Sequence, residues 1–142
     1  MSTRSTRSPR RVATVAGGLS VAVTLALRFA VFPYQDHGTP LWELPWMVLG
    51  AFALLAVPAY LYAAHGVIAP VTVVVGTYAI AVRETWGYFG GLGPPDPGAA
   101  STPTVLTLYL VFWAVPLAAA TAVGGAEYGI RTLGARRGGA EA

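Results

Sequence analysis

The sequence predicts an all-α integral membrane protein: a bundle of four transmembrane helices, up-down-up-down, with the N- and C-termini cytoplasmic. Three observations support this fold class. Hydrophobic residues are 55% and charged residues 11% of the 142 residues, too little polar surface to cover a soluble globule. Four apolar runs approach the roughly 20 residues that cross a hydrocarbon core. Seven of the nine cationic residues flank these runs at the chain ends.

The terminal arginines predict the orientation. Arginine in short segments beside a span stays on the cytoplasmic side, so both ends are expected there. The expected location is the cell membrane, multi-pass, and the expected partner of this charge is the lipid bilayer, not nucleic acid. The arginines concerned are Arg4, Arg7, Arg10, Arg11, Arg131, Arg136 and Arg137.

The first helix is predicted over residues 12–32 and stops at Pro33. Residues 1–11 repeat Ser-Thr-Arg without an apolar residue after Met1, which predicts a disordered basic cytoplasmic tail. A cleaved signal peptide is the alternative, because a basic segment precedes an apolar one. The long apolar run, and Arg28 in the region where cleavage is expected, favour a retained helix.

The second and third helices, over residues 40–64 and 67–89, are predicted to form an antiparallel hairpin. Thr39-Pro40 is typical of a helix start, although Pro45 favours a regular start nearer Leu44. Pro58 predicts a kink within the second helix. Gly66 is the candidate capping residue just after the end of the second helix. The short link that follows it requires the second and third helices to lie side by side.

The third helix is long enough to cross a membrane only if it includes charged residues. Its uncharged part, residues 67–82, would span only about 24 Å. Extending it through Arg83 and Glu84 to the aromatic residues near position 89 gives a full span, with an aromatic belt at its outer end.

The fourth helix is predicted over residues 103–130, completing a transmembrane domain of residues 12–130. Thr102-Pro103 repeats the start signal, and Pro116 predicts a kink. Glu127 and Arg131 are spaced to pair. Residues 131–142 are predicted to be a cytoplasmic tail.

Arg28 is the main candidate for an intramembrane polar site. Ser20, Thr24 and Arg28 share one face at four-residue spacing, so they could line a water-accessible groove, although snorkelling to the headgroups is the favoured interpretation. Glu84 is predicted at similar depth and could pair with Arg28, with Arg83 as a competing partner.

A second polar cluster lies at the predicted outer surface. Asp36, His37 and Glu43 have metal-binding or pH-sensing side chains, but their spacing matches no defined site, so a solvated loop is favoured. His65 is expected at the opposite face, as a cation at the end of the second helix. The chain has no cysteine, and no cofactor is predicted.

Stripes of small residues at four-residue spacing are the candidate helix-packing seams, because backbones approach closely at small side chains in membranes. These residues are Thr14, Gly18, Ala22 and Ala26; Thr72 and Gly76; and Ala114, Ala118, Ala122 and Ala126.

Three functions are compatible with these features. The leading hypothesis is a non-enzymatic accessory or structural subunit of a membrane complex, acting through a membrane-protein partner or as a homo-oligomer. The alternative is a small oligomeric transporter or channel that uses Arg28 and Glu84. The weakest is an integral membrane enzyme at the outer face, using Asp36, His37, Glu43 and Glu84.

Overall fold

The structure is a computed structural model that describes residues 8–32, 42–88 and 103–138, with side chains to residue 135. Every regular element in these ranges is helical, which confirms the all-α class. The elements are α1 (Pro9–Ala26) with a π-helical turn (Leu27–Val31), α2 (Glu43–His65), α3 (Ala69–Tyr88), α4 (Val105–Val111) and α5 (Ala114–Gly138).

Two helical segments, Pro9–Val31 and Glu43–His65, are long and apolar enough to cross a membrane. The bent pair α4–α5 would make a third span if it crosses as one unit. α3, at 20 residues, is about 30 Å long but carries Arg83 and Glu84, and it is not among these segments. Two or three candidate spans are typical of a membrane protein.

α1 begins earlier than predicted, so Pro9 to Arg11 are helical and do not belong to a disordered tail. Ser8 is the N-cap: its hydroxyl accepts a hydrogen bond from the Arg11 backbone N–H at 3.3 Å. Pro9 occupies the first helical position, where the missing N–H costs nothing. Ser-Pro is therefore the start signal of this helix.

The α2–α3 link agrees with the predicted hairpin. Gly66 ends α2 with φ of 69°, the left-handed conformation that glycine adopts without a Cβ penalty. Its N–H donates to the Tyr62 carbonyl at 2.8 Å. α2 begins at Glu43, close to the regular start expected near Leu44, and Pro58 lies inside it.

The helix predicted over residues 103–130 is divided in two, and the break lies close to the kink expected at Pro116. α4 and α5 meet at an angle of 71° across Phe112 and Trp113. Pro116 has no N–H for the Phe112 carbonyl, which accepts the Val115 N–H at 2.9 Å instead. The break falls one turn before the proline, where the regular hydrogen bonding is lost.

A tryptophan from α2 satisfies one backbone group at this break. The indole N–H of Trp46 donates to the Val111 carbonyl at 3.0 Å. The Trp46 ring also contacts Trp113, with ring centroids 5.3 Å apart. In lipid, broken backbone must be satisfied by neighbouring helices, and Trp46 does so here.

α5 continues to Gly138, so residues 131–138 of the predicted tail are helical. Arginine, leucine and alanine, which occur in this stretch, are good helix formers. Helix four also starts later than predicted, at Val105, with Thr104 as its N-cap.

The core lies between α2 and the other helices. α1 packs mainly on α2, and α3 packs on α2, α4 and α5. One buried cluster lies at the end of the bundle where α2 begins, and a second lies further along α2. The first contains Phe32, Met47, Ala51, Ala81, Leu106 and Leu110, and the second Leu54, Val74 and Ala120.

The predicted packing stripes do not form the helix contacts within the chain. All of their members are exposed: Thr14, Gly18, Ala22, Ala26, Thr72, Gly76, Ala114, Ala118, Ala122 and Ala126. The close approaches occur instead at three other glycines, each covered by a large or rigid ring.

The contact glycines are Gly17, Gly50 and Gly124. A Cβ on Gly17 would lie 2.6 Å from Cε2 of Phe52. A Cβ on Gly50 would overlap Trp113, and a Cβ on Gly124 would overlap Pro70. Glycine has no side chain, so at these three positions a ring of the neighbouring helix lies directly on the backbone. In α1, the inward face also carries the polar side chains of Thr24 and Arg28.

Candidate intramembrane polar site

Arg28 is turned into the bundle. Its exposed fraction is 5%, and its Nη1 donates to Met47 Sδ of α2 at 3.4 Å. The snorkelling interpretation is therefore not what the structure shows. Thr24, one turn earlier, is 4% exposed on the same inward face, whereas Ser20, one turn before that, is only partly buried. Two of the three residues of the predicted polar face are therefore buried in the bundle.

Arg28 lies in the π-helical turn that ends α1. The Phe32 N–H donates to the Leu27 carbonyl at 2.8 Å, a hydrogen bond across five residues in place of four. Such turns are rare and occur frequently at functional sites. The sequence contains no signal for it, because no proline or glycine lies between Leu27 and Phe32.

Hydroxyl groups connect α1, α3 and α4 beside this face. The Thr24 and Tyr78 hydroxyls are 2.9 Å apart, and the Thr77 and Tyr109 hydroxyls are 3.0 Å apart. The Tyr78 and Tyr109 rings meet edge to face at 5.9 Å. The four hydroxyls therefore bond to one another in pairs within the bundle.

The structure does not assemble the predicted trio of Arg28, Arg83 and Glu84. Arg83 and Glu84 are both exposed on α3, whereas the next residue, Thr85, is 0% exposed. Over the described ranges, no ion pair joins Glu84 to Arg28. Thr85 accepts the Leu106 N–H at 3.0 Å, so α3 turns its hydroxyl inward and its charges outward.

The predicted outer-loop cluster falls mostly outside the described residues, which include neither Asp36 nor His37. Glu43 is described: it is the first residue of α2 and is partly buried. Within residues 8–32, 42–88 and 103–135, no three His, Cys, Asp or Glu side chains lie close enough to hold a metal ion.

Comparison with known proteins adds no functional information. No family model, curated protein or solved structure matches this chain. Its function must be argued from its own residues, because even a known fold would not assign one. The described residues of the site supply one buried arginine and four hydroxyls, which are hydrogen-bond donors and acceptors.

The best-defined ionic contacts lie at the other end of the bundle, around the α2–α3 link. Glu127 and Arg131 form the predicted ion pair on α5, 2.5 Å apart. The other Glu127 oxygen accepts the Ala69 N–H at 2.8 Å, and Arg131 Nη1 donates to the Gly66 carbonyl at 2.9 Å. The pair thus binds the backbone at both ends of the link.

His65 is the last residue of α2, the position expected for it. Its ring packs edge to face on Tyr128, with centroids 5.7 Å apart. Arg131 of α5 is a second cation at this helix end, which the sequence did not indicate. Sequence reasoning found the Glu127–Arg131 pair from its spacing, but the link that it binds lies about sixty residues earlier in the chain.

Removing the Glu127 carboxylate should weaken the bundle more than removing that of Glu84. Glu127→Ala is expected to lower the thermal unfolding temperature in detergent, because it leaves the Ala69 N–H without its acceptor and removes the ion pair with Arg131. Glu84→Ala is the matched control, since Glu84 is exposed on α3. Equal unfolding temperatures for the two variants would contradict this assignment.

Proposed function

We propose that this chain is a four-span protein of the cell membrane, up-down-up-down with both termini cytoplasmic, and that it acts as a non-enzymatic accessory or structural subunit. The topology is supported by the α2–α3 hairpin, by the length of α3, and by the bent α4–α5 pair read as one span. The terminal arginines support the orientation.

The topology can be tested with single cysteines, because the natural chain has none. Ser8→Cys and Ala135→Cys lie at the proposed cytoplasmic ends. Pro103→Cys lies at the proposed outer end, at an exposed position just before the N-cap of α4. In intact cells, a membrane-impermeant maleimide should label only the Pro103→Cys variant. Labelling of the Ser8→Cys or Ala135→Cys variant before lysis would overturn the proposed orientation.

The observation that carries the subunit proposal is the outward face of α1. Thr14, Gly18, Ala22 and Ala26 are exposed, and a Cβ on Gly18 would meet no atom within 4 Å. Small residues allow a second membrane helix to approach closely. The space beside Arg28 offers less: that cavity has a volume of about 10 Å³, the size of one water molecule.

Co-purification tests the subunit role. Tagged protein is extracted from its own membranes in mild detergent and quantified by mass spectrometry. One membrane protein is expected at a fixed ratio, lost from Gly18→Leu and retained by Gly76→Leu, a control on α3 whose position is also open. The same proteins in both variants, or the chain alone, would contradict the proposal.

A small oligomeric transporter or channel is the second candidate, favoured by two observations. The α4–α5 pair is bent by 71°, and Arg28 is buried in an irregular turn. Broken helices and buried charge mark many transport sites. Ion flux through reconstituted liposomes that changes in Arg28→Gln but not in Glu84→Gln would support it, and absence of flux would exclude it.

An enzyme at the outer face has no such support. Asp36 and His37 are outside the described residues. Glu43 and Glu84 belong to different helices, and in the described part of the chain neither belongs to a group of three His, Cys, Asp or Glu side chains.

A further inference from the structure

A groove runs along the outside of the bundle between the second half of α2 and α5. Its volume is about 360 Å³. Its walls are apolar over most of its length, and its end beside the α2–α3 link is polar. The residues that define it are Val57, Leu61, Thr121, Gly125, His65 and Tyr128.

The groove has the length and the polarity of one lipid in one leaflet. From Val57 to His65, α2 rises about 12 Å, most of the roughly 15 Å in half of a hydrocarbon core. Val57 and Leu61 are apolar, and the Thr121 hydroxyl bonds the Leu117 carbonyl of its own helix at 3.0 Å. The polar side chains, His65 and Tyr128, come only at the end.

Two adjacent glycines keep the groove open. Gly124 lies against Pro70 of α3, which brings the α5 backbone close to the bundle. Gly125 has no atom within 4 Å of the position that its Cβ would occupy. The groove therefore has a backbone floor at Gly124 and an unfilled space at Gly125.

A cation lies just beyond the polar end of the groove, where Arg131 Nη1 donates to the carbonyl of Gly66, the residue after His65. Arg131 follows Tyr128 by one turn of α5, and its side chain is 52% exposed. Guanidinium has five N–H donors, of which the structure uses one toward Gly66 and one toward Glu127. Glu127 Oε1 contacts Arg131 Nη2, and Glu127 Oε2 accepts the Ala69 N–H, so the carboxylate is fixed to the backbone and holds Arg131 in place. Among the described residues, the other guanidinium donors remain available to an anion.

We propose that this groove binds one anionic phospholipid, with an acyl chain along Val57, Leu61 and Gly125 and the phosphate at Arg131. Basic pockets between membrane helices bind anionic headgroups in this way. Arg136 and Arg137 follow in the sequence of α5 within two turns, so this end of the helix is rich in positive charge. This lipid-binding proposal depends on the proposed membrane topology and does not depend on the proposed subunit role.

Native mass spectrometry of the full chain in detergent tests this site. The protein is given equal amounts of phosphatidylglycerol and phosphatidylcholine with identical acyl chains. Wild type should retain one phosphatidylglycerol. Gly125→Leu, which fills the groove, should reduce this retention about tenfold, equivalent to ~1.4 kcal/mol. Gly76→Leu places the same side chain in open space on α3 and should behave as wild type.

Variants of Arg131 test the headgroup contact. Arg131→Lys keeps the charge and should keep the preference for phosphatidylglycerol, whereas Arg131→Gln should retain the two lipids equally. Inorganic phosphate should not displace the lipid, because it lacks the acyl chain. Thermal unfolding of each variant reports any loss of fold, and Gly125→Leu tests the site without touching Arg131.

Several results would overturn the proposal. These are equal retention of both lipids by wild type, unchanged retention by Gly125→Leu, displacement by phosphate alone, or a lipid-free dimer that Gly125→Leu dissociates. A failure of the subunit role would appear in co-purification and would leave the lipid counts unchanged.

Discussion

Gly124→Ala is expected to destabilise the protein by about 1–3 kcal/mol, the usual cost of adding volume to a closed contact. The new Cβ would overlap Cγ of Pro70 and lie 3.2 Å from its Cδ. The Pro70 ring cannot rotate away, because it is fixed to the backbone in the first turn of α3. Relief therefore requires α3 and α5 to separate. Denaturant titration in detergent, followed by circular dichroism, measures the loss.

Gly125→Ala is the matched control at the next position of the same helix. Its Cβ would meet no atom within 4 Å, and alanine is favoured over glycine in helices by about 1 kcal/mol. This variant should be as stable as wild type or more stable. If Gly124→Ala matches Gly125→Ala, the α3–α5 contact is not as close as the structure has it.

These adjacent glycines show why the seams could not be placed from sequence. In both Gly17-Gly18 and Gly124-Gly125, the first glycine contacts a ring and the second is open. One residue along a helix is a rotation of about 100°. The predicted stripe in α1 included Gly18, but the helix turns Gly17, Thr24 and Arg28 inward instead. Composition alone does not distinguish two faces that are both rich in small residues.

Local rules succeeded where the cause lies within a few residues. The apolar runs gave the helices, Gly66 ended α2 in the left-handed conformation, and Glu127 paired with Arg131 one turn away. The break before Pro116 was foreseen only as a kink. The size of the bend between α4 and α5 depends on Trp46, a residue of a different helix whose indole N–H bonds the freed Val111 carbonyl.

The candidate site was predicted in part for the same reason. Arg28 and Thr24 share one face of one helix, so their spacing identified them. Tyr78 and Tyr109 lie on helices distant in sequence, and only the fold places them beside Thr24. Glu84 was expected to face Arg28, but the buried Thr85 fixes the rotation of α3 and leaves the neighbouring charges outside.

Thr85→Val is expected to destabilise the protein by about 1–3 kcal/mol, the cost of leaving a buried donor unsatisfied. Thr85 is 0% exposed, and its hydroxyl accepts the Leu106 N–H at 3.0 Å. Leu106 lies in the first turn of α4, where N–H groups have no partner within their own helix. Valine has nearly the same shape as threonine, so the lost acceptor is the main change. The unfolding free energy in detergent measures this cost.

Two further variants separate the hydrogen bond from other effects of the substitution. Thr132→Val should change stability little, because the Thr132 hydroxyl bonds only carbonyls of its own helix, at Tyr128 and Gly129. Thr85→Ser keeps the hydroxyl and loses a methyl group, so it should be closer to wild type than Thr85→Val. If Thr85→Ser is instead the less stable of the two, packing of the methyl group holds α4 on α3, and the cross-helix capping of Leu106 contributes little.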